Sequence, residues 1–144
     1  MRFDYQDQVC EDQAFTGAAT VSEDSWDSQD ADRDLFIGRR MAFLCVPKVA
    51  QGAGSSMKIE AIAASDSALT SNVEVLGTID GVTGAALGDE IEVPILPLLK
   101  TRRYVGIRVT LTTGTTTITL DAYLVPQDEI AKFKTFPKVV GSAV

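Results

Sequence analysis

Residues 102–125 read RRYVGIRVTLTTGTTTITLDAYLV, and this stretch decides the fold. In its first half Val105, Ile107, Val109 and Leu111 alternate with Tyr104, Gly106, Arg108 and Thr110. In its second half Ile118, Leu120, Ala122 and Leu124 alternate with Thr117, Thr119, Asp121 and Tyr123. A period of two places one set on a buried face and the other on the opposite face of a pleated strand. The intervening Thr113-Gly114-Thr115 carries turn chemistry, so the pair predicts an antiparallel hairpin packed on one face.

Working outward, the same phrase of a short β-rich run followed by a Gly/Ser/Asn/Asp/Pro break recurs. The runs are residues 41–49, 57–65, 73–79 and 90–96, and an earlier strand is predicted over Ala14–Val21. Pro94 and Pro97 restrict the 90–96 strand to an edge or a bulge, because proline donates nothing to a ladder. Met41–Val46 is apolar without alternation, which predicts a strand covered on both faces or lying at a subunit contact. Seven or eight such strands predict an all-β fold: a jelly roll, or two-sheet antiparallel β-sandwich, with extended N- and C-terminal arms. The expected division is a single domain over 1–144, with an N-terminal arm over 1–14, the sandwich over 15–126 and a C-terminal arm over 127–144.

Length and composition agree with one domain. The 144 residues are 45% hydrophobic and 23% charged, enough to bury a core without staples. No apolar run reaches the roughly 18 residues that cross a bilayer as a helix. The polar, acidic opening MRFDYQDQVCEDQ predicts no secretory leader. The expected place of synthesis is therefore a cytoplasm. The charge of −7 is uneven: residues 1–34 hold ten acids against Arg2 and Arg33, and the remainder is nearly neutral. An acidic N-terminal quarter repels nucleic acid and anionic membranes and favours a basic protein surface.

The chain contains no histidine. Ser-His-Asp and Cys-His catalysis, and most transition-metal sites, are thereby excluded. Cys10 and Cys45 have no metal-site spacing; Cys45 reads as a small buried hydrophobe, and a disulfide between the two is the lesser alternative in a reducing compartment. Asp30-Ala31-Asp32-Arg33-Asp34 opens like a calcium loop, but Leu35 and Met41 stand where the pattern needs Gly and Glu. The glycine-rich stretches at 52–56 and 81–84 lead into β-rich runs and read as turns, not phosphate cradles. Glu60, Glu74, Glu90 and Glu92 lie in strand-like runs where two inward carboxylates would suit glycoside hydrolysis. One Trp and three Tyr supply little of the aromatic platform such a groove needs. The expectation is no catalysis, no cofactor and no metal.

What remains is a protein that works through its surface. Trp26, within the acidic loop 22–34, is either a binding anchor or a cap folded onto the sheet edge. Phe3, Tyr5, Phe133 and Phe136 are the apolar candidates for contact in the two arms. Lys100, Arg102 and Arg103 are too few for a nucleic-acid face and predict ion pairs with a neighbour or with the chain's own acidic segment.

The early strand, the segment MKIEAIAASDSALTSNVEVLGTID (57–80), the run RRYVGIRVTL (102–111) and the closing ITLDAYLVPQDE (118–129) together resemble the small jelly-roll cement (decoration) proteins of tailed, podovirus-like phage heads. The resemblance covers roughly residues 14–126, and RYVGIRV is its most specific piece; segment 22–34 is longer and more charged than that pattern. It implies a subunit of the virion that self-associates as a homodimer or homotrimer. Such a subunit binds the outer surface of the major capsid protein shell and staples neighbouring capsomers. The rival readings are another virion component, such as a head fibre or tail part, and a carbohydrate-binding sandwich module.

Overall fold

The two strands of the opening stretch form, but they do not pair with each other. In the computed structural model, which describes residues 8–16, 19–28, 41–52, 54–95, 102–111 and 117–127, they lie in different sheets. β8 (Tyr104–Leu111) pairs with β5 (Met57–Ala64), β2 (Thr20–Val21) and β3 (Trp26–Asp27), whereas β9 (Thr117–Pro126) pairs with β1 (Gln8–Thr16) and β4 (Met41–Pro47). The predicted hairpin is thus replaced by a crossover between sheets. Alternation records only that one face is buried, and both sheets of a sandwich bury one face, so the pattern is identical in the two cases.

With β6 (Glu74–Val82) and β7 (Ile91–Pro94), the sheets run β1-β9-β4-β7 and β2-β8-β5-β6, every pairing antiparallel. β3 continues the edge begun by β2, since Thr20 and Val21 face Val109 and Arg108 while Trp26 and Asp27 face Val105 and Tyr104. Counting β2 and β3 as one edge, the partners nest: β1 with β9, β2/β3 with β8, β4 with β7, and β5 with β6 at the centre. A long antiparallel ribbon rolled into two layers gives this order, and it is the jelly roll expected from the sequence.

Between the layers the alternating positions meet. Phe15, Phe43, Met57, Ile59, Leu76, Ile107, Ile118, Leu120 and Leu124 are all fully buried there. Burying each contributes about 1.5–3 kcal/mol. β7 ends at Pro94 on the edge of its sheet, as its prolines require. Ala42 and Leu44 are buried on the outward face of β4, with Val125, Val46 and Tyr123 around them. Of the two expectations for this strand, coverage within one chain is what the fold shows.

The sandwich starts earlier than residue 15. β1 begins at Gln8, and Val9 and Cys10 sit in the core, so residues 8–14 are strand rather than arm. Its period was masked by a bulge: Cys10 faces Ala122 and Gln13 faces Leu120, leaving one extra residue, with Asp12 at φ 47°. The buried Asp121 carboxylate accepts the Asp12 N–H at 2.7 Å and holds the bulge. Cys10 and Cys45 both register with Ala122 from opposite sides of β9. Two inter-strand spacings of about 4.8 Å then separate them, beyond the roughly 7 Å that a disulfide spans. Both are free, buried thiols.

Candidate interaction surface

Outside the core, side chains are either tied down or presented. On the outer face of the β5–β8 sheet, Arg108 grips Glu60 through Nε at 3.0 Å and Nη2 at 3.2 Å. Lys58 Nζ lies 4.0 Å from the same carboxylate. Glu60 and Glu92 belong to different sheets, Glu74 opens β6 and Glu90 precedes β7. The four carboxylates considered for acid–base chemistry are therefore not brought together. Among the described residues, no group of His, Cys, Asp and Glu has metal-binding geometry.

The basic pair turns inward on the chain. Arg103 forms a two-pronged ion pair with Asp27 of the acidic segment, at 2.7 and 2.9 Å, and stacks over the Tyr104 ring. Arg102 Nε donates to the Asn72 carbonyl. Lys100 lies outside the described residues. Trp26 sits in β3 opposite Val105 and packs against the core, half-buried. It caps the sheet edge, which was one of its two readings. Phe3, Tyr5, Phe133 and Phe136 lie outside the described residues, as do residues 29–34 of the acidic segment and 128–144 of the expected C-terminal arm.

Two features face outward instead. Along the flank of β1 and the turn after β2, Glu11, Asp12, Glu23 and Asp24 are exposed within a network of short bonds. Glu23 Oε1 accepts the Glu11 N–H, Gln13 Oε1 accepts the Glu23 N–H, and Gln13 Nε2 donates to the Val21 carbonyl. Their positions are fixed even though their charges are solvated. This flank is negative, and it fits a basic protein surface better than a polyanion.

The second feature is a ledge where the β4–β5 and β6–β7 connections run side by side. Gly88 N donates to the Pro47 carbonyl at 3.0 Å and Gln51 N to the Ala85 carbonyl at 2.7 Å. Buried Gln51 then clamps the loops from within: its Nε2 donates to the Val82 and Ser55 carbonyls and its Oε1 accepts the Ala85 N–H. Val49 and Leu87 stand on this ledge, 53% and 67% exposed. The other exposed large apolar residue among those described is Val75, on edge strand β6. Gln51 uses both amide donors and its oxygen accepts one bond, so it ties the two loops of the ledge together. Sequence reading passed over Val49, at the end of the 41–49 run, and Leu87, inside a break, because neither belongs to an alternating stretch. The available signal was an unalternating Leu inside Gly84-Ala85-Ala86-Leu87-Gly88, which no strand pattern assigns to the core.

Burial is the largest cause of the raised pKa values in the body. The Cys45 thiol is pushed up to about 12 by desolvation, and Cys10 is raised as well, first by burial and then by neighbouring Cys45 and Asp121. Tyr123 rises to about 12 through desolvation and the nearby Asp121 charge. These shifts make the groups inert near neutral pH; none creates a poised nucleophile or base.

A protein-family model, Bbp16, matches residues 9–123, from within β1 to within β9. The chain belongs to the Bbp16 family, and the match marks it as a phage-associated protein. No curated protein matches it.

Proposed function

We propose that this member of the Bbp16 family is a capsid cement protein: it binds the outer surface of the major capsid protein shell and staples neighbouring capsomers. The observation that carries this reading is the braced ledge. A binding loop that must be ordered on contact loses affinity to conformational entropy. Here the Gln51 clamp has already fixed the loops that present Val49 and Leu87. Burying the remaining exposed half to two-thirds of these side chains at a contact contributes about 1–2 kcal/mol each. That is modest for one copy and large for a shell that repeats the contact by symmetry. The acidic flank of Glu11, Asp12, Glu23 and Asp24 adds attraction to a basic shell surface. Self-association as a homodimer or homotrimer would multiply the contacts further.

The test mixes the purified chain with heads of its phage that lack it, then separates bound from free protein by sedimentation. Stoichiometric co-sedimentation with heads, and a solution mass of two or three chains, support the reading. Protein that stays in the supernatant at every head concentration overturns it. A glycan array and a fractionation of virion parts distinguish the carbohydrate-binding and tail-component alternatives.

A further inference from the structure

We propose that the Asp80–Gly81 bond is a site of spontaneous backbone isomerisation, at which Asp80 converts to isoaspartate through a cyclic imide. The reaction needs the following residue's amide nitrogen close to the aspartyl carboxyl group, an unhindered nitrogen, and a backbone free to pucker. Asp80 and Gly81 provide all three. Gly81 N lies 2.7 Å from Asp80 Oδ1. Asp80 is exposed, and a Cβ placed on Gly81 would meet nothing within 4 Å. Met57 faces Val82 and Ile59 faces Ile79, so Asp80 and Gly81 together oppose Lys58 in a bulge of edge strand β6. Gly81 has φ 68°, a conformation that glycine adopts without strain and that lifts the pair out of the regular ladder.

Among the described residues, the aspartates followed by serine are restrained. Asp66, before Ser67, has its carboxylate held by Thr70 N, Thr70 Oγ1 and Ser71 N, which favours its ionised form. Asp27, before Ser28, is locked in the two-pronged pair with Arg103. Asp24, before Ser25, has its N–H bonded to the Val9 carbonyl and its own carbonyl bonded to the Ser22 hydroxyl. Sequence ranks these sites only by the residue that follows. Structure separates them by whether the carboxyl, or the backbone that must pucker around it, is held in place.

In the first step the Gly81 nitrogen bonds to Asp80 Cγ, the nitrogen loses its proton, and the carboxyl hydroxyl leaves as water, closing a five-membered ring. A water molecule then opens one of the two ring carbonyls. Opening at Cγ restores Asp80; opening at the backbone carbonyl leaves the chain running through Cγ, with a free α-carboxylate. Mass and oxidation state are unchanged overall. The product has an extra backbone carbon in residue 80, two positions before Val82, whose carbonyl Gln51 Nε2 holds at 2.8 Å. Isomerisation therefore loosens the clamp from the β6 side.

The full chain is aged in solution at mildly acidic pH. Isoaspartate is then located by isoaspartyl methyltransferase labelling and electron-transfer fragmentation, with native circular dichroism confirmed. The expected result is label accumulating at residue 80 while residues 24, 27 and 66 stay at background. D80E, whose longer side chain cannot close the five-membered ring, removes the signal. Isoaspartate at residue 80 no more abundant than at residue 66, or a signal at residue 80 that persists in D80E, overturns the proposal.

Discussion

Leu69 lies over the bare Cα of Gly106, filling the place that a side chain at position 106 would take; Ser22 Oγ approaches the same spot to 2.7 Å. The β5–β6 connection thus folds back across the outer face of its own sheet, where Leu69 joins Ile62 and Ala64 in a satellite core. Leu69 holds φ 60° and Asn72 φ 51°, conformations that non-glycine residues rarely adopt. G106A should therefore lower unfolding stability by about 1–3 kcal/mol, the usual effect of overpacking. Urea unfolding measures it. A loss below a few tenths of a kcal/mol would mean that Leu69 moves aside freely.

Asp66 keeps that connection in place by accepting from Thr70 N, Thr70 Oγ1 and Ser71 N. These bonds, the Thr70 hydroxyl first, lower its pKa below the ordinary 3.8. A depressed folded-state value means that stabilisation is fully present above 3.8 and disappears as pH falls through the lower folded-state value. Comparing D66N with the parent across pH should show a constant stability gap near neutrality that closes in acid. A gap that is unchanged at the lowest pH would assign the effect to packing instead.

Glu60 and Arg108 should behave as a coupled unit. R108M leaves a largely buried carboxylate with only the distant Lys58 and should cost about 1–3 kcal/mol; adding E60L should recover most of it. A double-mutant cycle in denaturant decides, and strictly additive losses would show that the two-pronged pair contributes nothing as a pair.

Cys10 and Cys45, raised in pKa and sealed in the core, should resist a thiol reagent in the native protein and react together on unfolding. Rapid labelling of Cys10 under native conditions would contradict the placement of β1 in the sandwich, where that strand pairs with β9.

V49D and L87D should leave the melting temperature nearly unchanged, because substitutions at exposed positions usually shift stability by within about 0.5 kcal/mol. Binding to heads should fall with either variant and further with both. Full head binding by the double variant would remove the ledge from the contact.

Much of the jelly roll was legible because its strands alternate cleanly: Val105 to Leu111 and Ile118 to Leu124 point inward as the period requires. Their partners were not legible. Which sheet receives β9 depends on contacts with Cys10 and Cys45, far away in sequence. The bulge at Asp12 hid the first half of β1 for a local reason, since one extra residue inverts the phase of alternation. Arg103 was readable as an ion-pairing residue, and the acidic segment was among its expected partners; Asp27 fulfils that role. The ledge was the hardest feature to foresee. Val49 and Leu87 gain their meaning from Gln51, a polar residue in a glycine-rich break whose burial no periodicity announces.

The most direct test of a cement role is a cryo-electron microscopy map of heads carrying this chain. The account predicts jelly-roll density on the outside of the shell, oriented so that the end bearing Val49 and Leu87 meets the capsid surface. Density confined to the tail or the head interior, or an outer jelly roll with that end facing solvent, would contradict it.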